Sequence, residues 1–234
     1  DLAKLMDLLQ LETAKARAHA FEETVGAIAA ASYYSKISVK AMGRKSTKAG
    51  IPFLTKTFVD HEPLGVVGII TPWNYPLALT MLDVLPALIA GNAVVQKADN
   101  QTALTVLFAR HLAVEAGFPA ELWTVVVGDG EEVGNAITDN VDYIAFTGST
   151  ATGRKVAARA AERLIGCSLE LGGKNPMIVL ESANVKRAAE IAIAGAFGSA
   201  GQLCVAIERV YVPNRMKQEF LDEIAKRTNS LKVG

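Results

Sequence analysis

A thiol, a carboxyl and a primary amide stand in three short segments of this sequence, each in company suited to chemistry. Cys204 closes Gly201-Gln202-Leu203-Cys204, Glu170 sits in Leu169-Glu170-Leu171-Gly172-Gly173-Lys174, and Asn74 in Pro72-Trp73-Asn74-Tyr75-Pro76. A thiolate adds to a carbonyl carbon, an amide N–H stabilises the resulting alkoxide, and a carboxylate activates water to cleave the thioester that follows. Those are the functions needed to oxidise an aldehyde to an acid.

Each residue also has a plainer explanation. A lone cysteine among apolar residues is more often an inert small hydrophobe than a nucleophile. Gly201 and Gln202 before Cys204 suggest instead a tight loop that exposes the thiol, whereas Cys167, at the start of an expected strand, reads as structural. Glu170, in an apolar strand stretch, is either a paired structural charge or a base with a raised pKa. The adjacent Gly172-Gly173 favours the base, because it gives a joint on which a carboxylate can swing aside and return. Asn74 either serves its own turn or is an amide fixed by the flanking prolines.

A second group of residues suits a phosphate. In Phe146-Thr147-Gly148-Ser149-Thr150-Ala151-Thr152-Gly153 a strand end runs into a helix start, where free N–H groups and the helix dipole favour an anion. The spacing is G-x-x-x-x-G, not G-x-G-x-x-G, and Arg154 and Val156 break the P-loop pattern, so alone the motif is weak. Lys97 follows the expected strand Ala93 to Gln96, at the carboxyl end where open α/β sheets bind ligands. In isolation it would be an ordinary surface charge.

These residues must be positioned by alternating strands and helices. The first segment, Leu2 to about Tyr34, is helical, with Leu5, Leu8, Leu9, Thr13, Ala16, Ala20, Val25 and Ile28 near one face. Between Pro52 and Ile70 the rhythm turns to β, with Pro63 and Gly65 as turn residues before a buried strand Val66 to Ile70. Apolar runs then alternate with helical stretches, the mark of βαβ units and a parallel sheet. Strands are expected at Ala93–Gln96, Trp123–Val127, Tyr143–Phe146, Ser168–Leu171, Met177–Leu180 and Glu208–Val212. Helices are expected at Leu77–Ala90, Thr102–Glu115, Glu131–Ile137, Ala151–Leu164, Val185–Phe197 and Lys217–Leu231.

Composition limits the alternatives. The 234 residues are 50% hydrophobic and 21% charged, which fits a folded globular chain and excludes a disordered one. The positive mean hydropathy of +0.25 hints at apolar surface covered by a partner subunit or by further chain. Lys plus Arg and Asp plus Glu balance at 24 each, so no net field recruits nucleic acid or an anionic membrane. Two cysteines and three scattered histidines suggest neither a disulfide framework nor a metal site. No signal segment opens the chain and charges interrupt every long apolar run, so a reducing, cytoplasmic location is the default. The first residue is Asp, which reads as an excerpt or a processed product.

The order PWNYP, FTGST, LELGGKNP, GQLC resembles that of the NAD(P)-dependent aldehyde dehydrogenase superfamily, and the run from Gly65 to Val212 is most similar to its bacterial succinate-semialdehyde dehydrogenases. The resemblance implies an α/β fold: a Rossmann-type dinucleotide-binding domain over residues 1–171, with a β-hairpin segment near 52–70, and the N-terminal part of a catalytic domain over 172–234. It implies Cys204 as nucleophile, Glu170 as base for thioester hydrolysis, and Asn74 as oxyanion donor beside the Cys204 N–H. NAD or NADP would lie on Gly148, Ser149 and Gly153, with Thr71, Pro72 and Trp73 lining the groove and Lys97 on the adenosine ribose. Three residues after that lysine the family often has a glutamate that repels a 2′-phosphate; here Asn100 stands there, so NADP is expected to be tolerated.

Two arginines that grip the substrate carboxylate in the familiar succinate-semialdehyde enzymes fall at Gly198 and Leu82, so either another loop supplies the charge or the aldehyde is less acidic. Family members continue past the position of Gly234 with the rest of the catalytic domain and a strand used in oligomerisation. The expected partners are a small aldehyde and, for the full-length protein, copies of itself as a homodimer or homotetramer. The rival readings are a non-catalytic nucleotide-binding or scaffolding fragment and a thiol esterase. Neither explains all of Cys204, Glu170, Lys97 and the FTGST turn.

Overall fold

The computed structural model describes residues 1–232. Two helices come first, α1 (Leu2–Thr13) and α2 (Arg17–Met42), broken where Ala14 takes a left-handed φ of 54° and its N–H caps Gln10 O. The expected single helical face is therefore two faces. In α2 the buried residues are Ala20, Glu23, Thr24, Ala27 and Ala30, while Val25 and Ile28 are exposed. Small side chains let α2 lie close to its neighbour, and the larger apolar residues turn outward.

A hairpin follows, β1 (Lys45–Thr47) paired antiparallel with β2 (Thr57–Val59). Its second strand falls in the segment near 52–70 in which a hairpin was expected, but its first lies before that segment. The run after Pro63 and Gly65, β3 (Val66–Ile70), pairs not with β2 but in parallel within the main sheet. There it is joined by α3 (Pro76–Ile89), β4 (Ala93–Lys97), α4 (Ala103–Glu115), β5 (Trp123–Val126), α5 (Gly130–Asn140), β6 (Tyr143–Gly148), α6 (Thr150–Glu162) and β7 (Gly166–Leu171). The strand order is β5-β4-β3-β6-β7, with every pairing parallel.

Beyond it lie β8 (Asn175–Ile178), α7 (Val185–Phe197), β9 (Ile207–Tyr211) and α8 (Lys217–Thr228), with β8 and β9 forming a parallel pair. No helix among the described residues is long and apolar enough to cross a membrane.

The topology places a binding edge. From β3 the chain steps outward to β4 and β5, then returns to the other side of β3 as β6, so the connections leaving β3 and β6 run in opposite directions. Such a switch point opens a crevice at the carboxyl ends of the two strands. Beneath it a buried, fully partnered amide links four elements. The buried Gln96 donates to Thr71 Oγ1 (3.1 Å) and Thr80 Oγ1 (2.7 Å) and accepts from Trp123 Nε1 (3.0 Å), tying together β4, the end of β3, α3 and β5.

Candidate active site

A cleft of about 700 Å³ opens at this carboxyl edge. Of the expected residues, Thr71, Pro72, Trp73, Asn74, Lys97, Gly148, Ser149, Glu170 and Cys204 all line it. They come from the loop after β3, the end of β4, the β6–α6 turn, β7 and the loop before β9. Asn100 and Gly153 are not among its lining residues.

The cysteine loop is held in an unusual shape. Ser199 (φ 50°), Ala200 (φ 58°) and Gly201 (φ 75°) are consecutive left-handed residues, a conformation that disfavours side-chain-bearing residues and here turns the chain sharply after α7. Gln202 N–H closes the turn on Ser199 O (3.1 Å), and Asn175 Nδ2 ties the far side by donating to Cys204 O (2.6 Å) and Ala206 O (3.0 Å). Cys204 is exposed, and its N–H makes no hydrogen bond to another described residue. Cys167 is exposed as well, on the edge strand β7 opposite Ile144. It does not line the cleft.

Asn74 reaches the same loop. Its Nδ2 donates to Gln202 O (2.8 Å), while its Oδ1 is buried without a partner among the described residues. The amide has two N–H groups, so one remains for a ligand in the cleft that Cys204 also lines.

Glu170 stands opposite Thr147 in the β6–β7 ladder, one pair before Gly148 and Leu171. It is exposed, because β7 is the edge strand, and so does not have the apolar surroundings expected for it. A half-buried carboxyl of this neighbourhood is Asp83 on α3, which desolvation first, and the charge of Glu170 second, push up from 3.8 to about 6.

The pH dependence follows from that direction. The folded state holds the Asp83 proton more tightly than the unfolded chain, so this contribution to stability is complete below about pH 4 and is lost as pH rises through 6. Asp83→Asn should match the parent in urea unfolding at pH 4 and exceed it at pH 7.5. A shift of this size corresponds to at most about 3 kcal/mol. Equal stabilities at pH 7.5 would show that the half-buried charge costs nothing.

Another part of the cleft lining suits an anion. Ser149 caps α6, its Oγ accepting from Thr152 N (3.2 Å), and the free N–H groups of the first helical turn are a ready phosphate site. Lys97, buried, donates to Ala98 O (3.1 Å), and Lys155 adds a second cation; Asp99 and Glu131 are acidic residues on the lining.

Asn100 and Gly153 also have structural contacts. A Cβ on Gly153 would sit 2.6 Å from Leu171 Cδ2, so this glycine lets α6 pack on β7. Asn100 turns its carbonyl to Gly128 N–H (2.9 Å), holding the loop after β5.

Sequence reasoning missed Asp83, Asn175 and the buried pair Lys15–Glu23, whose side chains are 1% and 0% exposed. A carboxylate on the apolar stripe of α2, between Ala20 and Ala27, was the available signal for the last.

The model of the aldehyde dehydrogenase family matches residues 1–234. A Mycobacterium tuberculosis protein provisionally named succinate-semialdehyde dehydrogenase (NADP) is 49% identical over 230 residues, 98% of this chain and 44% of its own length. The peroxisomal aminoaldehyde dehydrogenase 2 of Pisum sativum is 39% identical over 86% of this chain and 41% of its own. Among solved structures, an NADP-dependent enzyme of E. coli superposes over the whole chain with a TM-score of 0.95 at 34% identity, covering 48% of that enzyme. A Staphylococcus aureus betaine aldehyde dehydrogenase in complex with NAD+ gives 0.93 at 33% identity, over 99% of this chain and 46% of that one. The chain thus spans less than half the length of these relatives.

Proposed function

The chain belongs to the aldehyde dehydrogenase family, and from that premise we propose that it carries the reacting centre of an NAD(P)-dependent oxidation of an aldehyde to the carboxylic acid. One observation carries the reading: Cys204, Glu170 and Asn74, from three distant stretches, line a single cleft at the switch point of a parallel sheet. Cys204 Sγ attacks the aldehyde carbon, and the Cys204 N–H and the Asn74 amide receive the negative oxygen. A nicotinamide dinucleotide, when bound, supplies the acceptor for the hydride. The acyl group is then left on Cys204 as a thioester, and Glu170 takes a proton from the water that cleaves it, releasing the acid and the thiolate.

Lys97, the Gly148-Ser149 turn and the first turn of α6 would hold the dinucleotide, with Thr71, Pro72 and Trp73 along its groove. A thiol esterase would leave this cradle without a use. Residues 1–171 then form the dinucleotide-binding part and 172–234 the beginning of the catalytic part; the five-stranded sheet ends at Leu171 and the smaller one begins at Asn175. Assembly as a homodimer or homotetramer is supported by apolar side chains left exposed around the hairpin, among them Phe53, Leu54 and Phe58. Light scattering measures it.

On the cofactor, NADP is accepted. Position 100 carries no carboxylate and Lys155 faces the cleft, although Asp99 beside it opposes a 2′-phosphate. Calorimetric titration of the chain should give Kd values for NADP and NAD within about tenfold of each other; tenfold corresponds to 1.4 kcal/mol. A preference for NAD of a hundredfold would refute this.

The substrate is tested by an aldehyde panel, read by nicotinamide absorbance, on the longest natural polypeptide that contains this sequence. Succinic semialdehyde heads it, on the name of the mycobacterial relative. Neutral aldehydes are included because Gly198 and Leu82 offer no cation. Absence of reduction with every member would overturn the assignment.

A further inference from the structure

We propose that the buried Lys15–Glu23 pair is a positioning device that holds Asn74 at the reacting centre, an inference that rests on the reading of Asn74 as an oxyanion donor. The break between α1 and α2 turns Lys15 inward, where its ammonium has three neighbours: the Glu23 carboxylate, Asn74 O at 2.8 Å, and the Tyr75 ring, whose centroid is 3.8 Å away. The other oxygen of Glu23 accepts from Leu77 N (2.8 Å) and Ala78 N (3.2 Å). Those are first-turn amides of α3, whose own N-cap, Tyr75, provides no side-chain cap. One carbonyl and two amides of residues 74–78 are therefore anchored to a single pair from the start of the chain. From the same segment the Asn74 amide reaches Gln202 O at 2.8 Å, two residues before the thiol.

Stability alone does not account for the pair, since apolar residues of similar volume commonly replace a buried ion pair without loss. What apolar residues would not supply is an anchor for the Asn74 carbonyl and an acceptor for the two amides. Without them the loop carrying the oxyanion donor loses its anchor to the first two helices and keeps only its contact with Gln202 O and its local backbone hydrogen bonds. Displacement of a reacting group by about 1 Å costs on the order of a hundredfold in rate.

The test uses the longest natural polypeptide containing this sequence, with both charges removed together as Lys15→Met/Glu23→Leu so that no unpaired charge is left buried. The expected variant melts within a few degrees of the parent and binds NADP with unchanged Kd. Its single-turnover rate of nicotinamide reduction falls about 10- to 100-fold, and hydrogen exchange accelerates in peptides covering residues 72–80 and not elsewhere. In an Asn74→Ala background the same double substitution should slow the reaction no further. If the double variant does not fold, Glu23→Gln, of equal volume, should move both readouts in the same direction by less.

A folded variant with parental rate and parental exchange at 72–80 overturns the proposal, as do losses that multiply with those of Asn74→Ala. If Asn74→Ala itself keeps the parental rate, the oxyanion reading fails and this role with it. A slow Asn74→Ala beside a fast double variant sinks the positioning role alone.

Discussion

Cys204→Ala should abolish aldehyde-dependent nicotinamide reduction in the longest natural polypeptide that contains this sequence, by about 10⁴-fold or more, because no other group can form the carbon–sulfur bond on which the remaining steps depend. The loss should appear with NADP binding unchanged, since the thiol is not among the residues that would hold the dinucleotide. The second cysteine supplies the control. Cys167 is also exposed but sits on the outer edge of the sheet, so Cys167→Ala should keep the parental rate within about twofold, in the range expected of a surface substitution. Iodoacetamide should inactivate the parent in step with alkylation of Cys204, whereas alkylation of Cys167 alone should leave the activity unchanged. Stopped-flow absorbance and peptide mapping measure both. Residual turnover in Cys204→Ala within tenfold of the parent would mean that the chemistry is not nucleophilic at this sulfur.

Glu170→Gln separates the two halves of the reaction. The carboxylate is not needed to form the thioester, only to draw a proton from the water that cleaves it, so the first hydride transfer should survive. Steady turnover should fall by 10²- to 10⁴-fold, the usual worth of a general base. The trace should show one equivalent of reduced nicotinamide per site and then a plateau. The geometry suits this division: Glu170 is exposed on the edge strand and followed by Gly172-Gly173, so it can approach the cleft without being locked against the thiol. A steady rate equal to the parent's would assign the base elsewhere, with Asp83, the half-buried carboxyl that feels the charge of Glu170, as the first residue to examine.

How much of this was legible in the sequence depended on which physical signal each part carries. The parallel sheet was legible because β3 and β6 are buried on both faces and read as unbroken apolar runs between helical stretches. The hairpin was misplaced because β2 pairs with Lys45-Ser46-Thr47, a polar strand with no apolar signature, while the apolar run after Pro63 looked like its partner. The inner face of α2 was misread for a similar reason: hydrophobic size favoured Val25 and Ile28, but close helix packing favoured alanines.

At the site, residue types at motif spacing identified nine residues that line one cleft, since the strand ends there are fixed by the sheet. Spacing does not carry tertiary contacts, so the bond of Asn100 to Gly128 N–H and the close approach of Gly153 to Leu171 were not legible in the motifs. Lys15 and Glu23 lie more than fifty residues from Asn74 and belong to no recognisable motif. Only the cost of burying a charge marks them, and that becomes visible once the face of α2 is known.

The most direct test of the central claim is peptide mass spectrometry of Glu170→Gln quenched after mixing with NADP and the best aldehyde of the panel. The account predicts an acyl mass, the aldehyde less one hydrogen atom replacing the thiol hydrogen, on the peptide containing Cys204 and none on the peptide containing Cys167. An acyl group on Cys167, or one equivalent of reduced nicotinamide with Cys204 unmodified, would contradict it.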